Sequence, residues 1–275
     1  MFVRTLEGLR AQGKERVIAH GRARAIRFLT QTDGMGFTFS DVRVVAGEES
    51  VLWYKNHWEA NYVVAGTMSE TNLARDLSWE LGPGALYCVG PDDRHRVVAV
   101  TDIQVVSVFN PPLVGDETHD DDGAYPPTGE LPPGADRMFV RTVEELRSAG
   151  REKTVAAGSS LAVRMLLKQD GMGFTLSDVN LAAGNKNNLW YKHHWEANYI
   201  LEGSGEVHDH ATGDVWKMEP GMLYNVGPDD RHSMHAHTDL HLLSVFSPAL
   251  VGDEQHDEDG AYAPSGPVPP GPQAG

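Results

Sequence analysis

Long strings recur along this chain at one fixed distance, and that internal repeat constrains the fold more than any other feature. MFVRTLEGLR begins at Met1 and MFVRTVEELR at Met138; DGMGFTFSDV is answered by DGMGFTLSDV, WYKNHWEANY by WYKHHWEANY, and GPDDRH occurs twice. Trp53 and Trp190, Glu59 and Glu196, His95 and His232, and Tyr125 and Tyr262 all keep the spacing of Met1 and Met138, so the copies align without insertion or deletion. A copy of about 140 residues has the size of a whole domain, in contrast to the shorter units of solenoids. The sequence therefore divides into a first repeat at 1–125, a Pro/Gly linker at 126–137 (PPTGELPPGADR), a second repeat at 138–263 and a Pro/Gly tail at 264–275. The linker composition predicts a stiff extended segment, and that of the tail a disordered end.

Within each copy the apolar runs are short and are broken by Gly, Pro, Asn and Asp. GFTFSDVRVVAG, NYVVAGTM, ALYCVG and IQVVSVFNPPL in the first copy match GFTLSDVNLAAG, NYILEGSGEV, MLYNVG and LHLLSVFSPAL in the second. This pattern predicts an antiparallel all-β sandwich or barrel. One short helix is expected over TVEELRSAG, where Thr142 and Glu145 have capping-box spacing. A net charge of −16 with no basic cluster argues against nucleic acid as a partner. The lone Cys88 allows no intrachain disulfide and reads as a buried, inert thiol, and MFVRTLEGLR lacks the apolar run of a signal peptide or membrane span. A cytoplasmic protein without a membrane partner is expected.

Glu59 precedes NYVVAG and Glu196 precedes NYILEG, and a PG turn followed by GPDDRH ends in His95 and His232. These are the places of the Glu and of the second-motif His of cupins. The two histidines of the first cupin motif are absent, their positions falling on Leu52 and Tyr54 and on Leu189 and Tyr191. With the strings WYKNHWEA, GPGALYCVGPDDRH and FNPPLVGDETHDDDGAY, each copy resembles the ectoine synthase family over nearly its whole length. The resemblance implies a fold of two cupin-type antiparallel β-barrels, jelly-roll-like, with few short helices. It also implies an iron site in each copy, made by Glu59, Tyr87 and His95 and by Glu196, Tyr224 and His232. Carboxylate, phenolate and imidazole suit Fe(II), with Zn(II) or another divalent metal as a substitute. Taken singly, each residue reads first as a solvated carboxylate, a core tyrosine or a loop histidine, and only their joint placement at the cupin motif positions points to a metal.

The same resemblance places Glu117, His119, Glu254 and His256 at the substrate pocket as proton-transfer residues, and Tyr54, Phe109, Tyr191 and Phe246 among the substrate-binding residues. On an extended strand, Glu117 and His119 would share one face. At positions where the family has an aromatic or polar element and a carboxylate-binding Thr, this chain has Ala23 and Ser160, then Val42 and Val179. The first copy also departs in VVAGTMSETNLARDLSWELGPG, where the second reads ILEGSGEVHDHATGDVWKMEPG. The implied function is a metal-dependent cyclising dehydratase, a carbon–oxygen hydro-lyase, acting on an N-acylated diamino acid or related small amino-acid derivative. An Fe(II)-dependent oxygenase of natural-product metabolism and a non-catalytic small-molecule-binding cupin stand as alternatives. Two joined copies would reproduce the family dimer as an intrachain pseudo-dimer, and further homo-oligomers are compatible with it.

Overall fold

The string WEANYVVA forms the strand Trp58–Ala65, with every residue from Trp58 to Val63 buried. The burial takes in Glu59 and Asn61, polar residues alternating with Trp58, Ala60 and Tyr62, so one face of this strand brings polar groups into the interior. A computed structural model of the chain describes residues 1–135 and 137–272. Its backbone divides into two compact units, one built on Leu9–Thr142 and the other on Val143–Gly271 together with Met1–Gly8.

Each unit is all-β, made of one seven-stranded and one four-stranded antiparallel sheet. In the first unit the large sheet runs in the order Phe139–Thr142, Ala85–Val89, Trp58–Ala65, Ile103–Asn110, Thr38–Val44, Ala23–Leu29, Glu15–Ile18. The small sheet runs Glu49–Leu52, His95–Ala99, Met68–Asn72, Leu77–Leu81. The second unit repeats both orders with the matching strands. Side chains of both sheets meet in one core, Val63, Tyr87 and Val105 from the large sheet joining Met68, Leu81 and Ala99 from the small one. Cys88 is buried in the large sheet. Two six-residue helices, Leu6–Ala11 and Val143–Ser148, account for the α content among the described residues. No helix there is long and apolar enough to cross a membrane.

The compact units take their edge strands from opposite repeats. Phe2–Thr5 pairs with Met222–Val226, setting Val3 opposite Tyr224, and Phe139–Thr142 pairs with Ala85–Val89, setting Val140 opposite Tyr87. The strings FVRT thus cover the open edge of the very strands that carry the two candidate tyrosine ligands.

The Pro/Gly segments are docked, contrary to the disorder expected of the tail. Trp195 Nε1 donates to the Pro269 carbonyl at 3.0 Å, and His194 Nε2 lies 2.9 Å from the hydroxyl of buried Ser265. In the first unit His57 Nε2 and Thr128 Oγ1 make the matching 2.9 Å contact. Proline-rich chain lacks N–H donors but keeps its carbonyl acceptors, so the Pro269 carbonyl takes the Trp195 indole, while the hydroxyls of Ser265 and Thr128 meet the imidazoles. Gly134 and Gly271 lie against Trp58 and Trp195 so closely that a Cβ would fall 1.9 and 2.1 Å from the rings. Asp136 of the linker and Gln273–Gly275 of the tail lie outside the described residues.

Candidate active site

Glu59 and Tyr87 lie on neighbouring strands of the large sheet, where Glu59 faces Val89 and Asn61 faces Tyr87. Both line a cavity inside the unit. His95 opens a strand of the small sheet and is fully buried. Its Nδ1 sits 3.0 Å from the Asp93 carbonyl, an acceptor only, so Nδ1 carries the proton and Nε2 presents its lone pair. That Nε2 is buried without a partner. Glu196, Tyr224 and His232 repeat the arrangement, with His232 Nδ1 3.2 Å from the Asp230 carbonyl and Nε2 again orphaned.

Burial pushes the Glu59 and Glu196 carboxyls up to about 7, against the pull of Asn61 and Ser107 on the one and Ser244 and Asn198 on the other. It pushes the Tyr87 and Tyr224 phenols well above their ordinary value and the His95 and His232 imidazoles down to about 4. All six groups are thus held toward their neutral forms by a dry interior. A divalent cation would relieve that desolvation and occupy the orphaned Nε2 lone pairs, so the donor sets fit one.

A second group recurs in each unit, with Tyr54, Phe109 and Tyr125 lining the first cavity and Tyr191, Phe246, His256 and Tyr262 lining the second. His119 Nδ1 accepts the Ala19 N–H at 3.2 Å, which assigns the ring proton to Nε2, 3.1 Å from the Tyr54 hydroxyl. His256 stands in the same relation to Ala156 and Tyr191, at 3.2 and 3.1 Å. Burial, with His20 and Arg27 for the one and Arg164 for the other, lowers both imidazoles to about 4. Tyr54 and Tyr191 are raised well above their ordinary value, first by burial and then by Glu59 or Glu196. Phe109 meets Tyr54 edge-on at 5.1 Å and Phe246 meets Tyr191 at 4.9 Å, while Tyr125 and Tyr262 stack on His119 and His256.

Glu117 and Glu254 differ from the strand geometry expected of them. Their segments form no strand, and each carboxylate is tied down locally. Glu117 accepts from Arg27 at 3.0 Å and from the N–H groups of Val114 and Gly115. Glu254 accepts from Arg164 at 2.8 Å and from Val251 and Gly252. The arginines belong to the strands Ala23–Leu29 and Ser160–Leu166, and nothing in the sequence pattern marked them as partners.

Ala23 and Val42 line the first cavity, and Ser160 and Val179 the second, so the positions that depart from the family pattern face the interior. The cavities measure about 70 and 50 Å³. Met234 and Leu242, which replace Val97 and Val105, narrow the second.

One residue of this region escaped the motif reading. Glu70 is completely buried and neither carboxylate oxygen has a hydrogen-bond partner. Burial, then the charge of Glu59, raises its carboxyl well above the ordinary range, and Glu70 in turn raises Tyr87. The matching residue of the second repeat is Val207, a mismatch visible on aligning the copies. In metal-free protein, Glu70→Val is expected to stabilise the first unit by about 1–3 kcal/mol, the cost of an unsatisfied buried polar group. A raised folded carboxyl means the native state holds its proton where the unfolded chain has lost it, so stability falls as pH rises above the ordinary carboxylate range. The gain should accordingly be small at acid pH and grow toward alkaline pH in urea unfolding; a uniform or negative effect would contradict this account.

The ectoine synthase family model matches residues 1–129 and again residues 138–266. The chain belongs to the ectoine synthase family. It carries the family domain twice, as a bicupin. L-ectoine synthase of Oceanobacillus iheyensis is 41% identical over 125 residues, 46% of this chain and 96% of that protein. L-ectoine synthase of Halomonas elongata is 39% identical over 128 residues, covering 46% and 93%. Each such ectoine synthase is therefore the length of one repeat. Among solved structures, YlbA of E. coli aligns over 90% of this chain and 91% of its own with a TM-score of 0.64 at 14% identity. Oxalate decarboxylase of Lactobacillus farciminis aligns over 92% and 87%, also at 0.64, with 13% identity. At those identities the likeness bears on the fold alone.

Proposed function

We propose that this chain is a metal-dependent cyclising hydro-lyase of ectoine synthase type. It would close a ring within an N-acylated diamino acid, or a related small amino-acid derivative, with loss of water. The observation that carries the reading, beside family membership, is the tyrosine–histidine pair of each unit, in which the tyrosine lining the cavity, Tyr54 or Tyr191, meets a histidine at 3.1 Å. When bound to Glu59, Tyr87 and His95, or to Glu196, Tyr224 and His232, a divalent cation such as Fe(II) would supply Lewis acidity to an acyl oxygen.

The protein's own groups handle the protons. Ring closure adds an internal amine to the acyl carbon; the acyl oxygen must then gain protons to leave as water, and the nitrogen must lose them. Nε2–H of His119 donates to the Tyr54 oxygen, leaving the tyrosine hydrogen available to a substrate oxygen. Tyr54 remains protonated because burial and the nearby carboxylate oppose its ionisation. His119 is neutral near pH 7 and can take a proton back through the same pair. Glu117 and Glu254, locked onto Arg27 and Arg164, anchor the segments that carry His119 and His256, a positioning role. Phe109 and Phe246 add apolar walls that exclude water. Ala23 and Val42 offer no hydroxyl to a substrate carboxylate, which favours a substrate altered at that end.

Tyr54→Phe combined with Tyr191→Phe is expected to lower kcat by about 10²–10⁴-fold while leaving metal content unchanged. The assay is mass spectrometry of an N-acetylated diamino acid for loss of one water. Turnover that consumes O₂ with no loss of water would overturn the hydro-lyase reading.

A further inference from the structure

Away from both cavities, the outer face of the small sheet in the second unit carries imidazoles that the first unit lacks. The strand Gly205–Asp209 buries Gly205, Val207 and Asp209 and turns Glu206 and His208 to the other face. The strand His232–Ala236 likewise buries His232, Met234 and Ala236 and turns His235 outward, with exposed His237 next in the chain. Glu206 lies opposite His235 in the register, and the His237 N–H bonds the Ser204 carbonyl at 2.9 Å, which sets His237 diagonal to Glu206.

Donor atoms of Glu206, His235 and His237 all lie within 4.8 Å of one another. His208 Nε2 is 3.2 Å from Glu206 Oε2, and the His235 and His237 rings meet edge to face at 4.8 Å. The corresponding residues of the first repeat are Ser69, Thr71, Val98 and Val100. Three imidazoles gathered on one carboxylate therefore distinguish one copy of the duplication from the other.

We infer that Glu206, His235 and His237 form a peripheral site for a late first-row divalent cation such as Zn(II), with His208 in reach of the same carboxylate. Two imidazoles and one carboxylate are the donor set such ions take, whereas Mg(II) and Ca(II) prefer oxygen alone. Lys186 lies opposite His235 and Lys217 opposite Glu206. Lys217 already pairs with Glu219 at 3.0 Å; desolvation, then the charge of Lys186, favours the neutral, ligating form of the His235 imidazole. A bound cation would staple two neighbouring strands, one of which presents His232 on its inner face, and so would stiffen the second unit alone.

The site is independent of the reading of the cavities, and the test keeps them apart. Full-length protein is stripped with chelator and titrated with Zn(II) and with Mg(II), following heat of binding and thermal unfolding. His235→Val with His237→Val places there the residues the first repeat already tolerates, and Glu206→Gln removes the charge with little change of shape. Both changes should lower the zinc stoichiometry by one equivalent, or weaken that equivalent about ten-fold or more, and remove its contribution to the melting temperature. They should leave the equivalents lost in His95→Ala and His232→Ala untouched, and Mg(II) should not bind at the outer face. Unchanged zinc stoichiometry and affinity in the His235→Val/His237→Val chain overturns the inference, whatever the cavities bind.

Discussion

Replacing Arg27 by Met is expected to destabilise the first unit by about 3–5 kcal/mol, and Arg164→Met the second by a similar amount, because each leaves a buried carboxylate without its counter-ion. The Arg27 and Glu117 side chains are only 5% and 3% exposed, and those of Arg164 and Glu254 3% and 5%. The backbone N–H groups that also hold these carboxylates stay in place but cannot neutralise them. Burial alone would raise the Glu254 carboxyl, yet the N–H groups of its own segment and Arg164 hold it below the ordinary carboxylate range. The stabilisation is therefore present above that range and lost as pH falls through it. Urea unfolding of single and double variants decides the matter: Arg27→Met with Glu117→Met should cost much less than the sum of the two changes. A cost under about 1 kcal/mol for Arg27→Met alone would mean that the pair behaves as a surface salt bridge. Activity should fall as well, since His119 follows Glu117 by two positions and relies on that anchor to meet Ala19 and Tyr54.

His95→Ala and His232→Ala, made separately, are each expected to remove one of up to two equivalents of Fe(II) from the inner sites; together they should remove both and bring ring closure to background. Each imidazole is oriented by a carbonyl on Nδ1 and offers an Nε2 with no other partner, so nothing nearby replaces it. Occupancy should also rise with pH through neutrality. Glu59 and Glu196, at about 7 without a metal, and the still more weakly acidic Tyr87 and Tyr224 must lose protons to ligate. The sign is that of proton release on binding: acid weakens the site, and alkali strengthens it. Metal analysis across pH checks both points. Iron retained in the double variant would show that the assigned donors are wrong.

The sequence by itself determined the duplication, the β-rich fold, the family and the strands that carry the site. Those features are written in local patterns: a constant spacing between copies, apolar runs broken by turn residues, and strings long enough to be specific. WEANYVVA becomes the strand bearing Glu59, and GPDDRH delivers His95 to the start of its own strand. Only the tertiary structure decided which residues meet across long separations. It assigned Arg27 to Glu117 and His119 to Tyr54, placed each FVRT strand against the sheet of the other repeat, and docked the Pro/Gly segments on Trp58 and Trp195. It also left Glu70 without a hydrogen-bond partner and gathered the outward histidines around Glu206. The physical reason is that a residue's type fixes which bonds it can make and its strand position fixes which face it takes. The partner it finds there is set by register between strands distant in sequence, and no local string encodes that register.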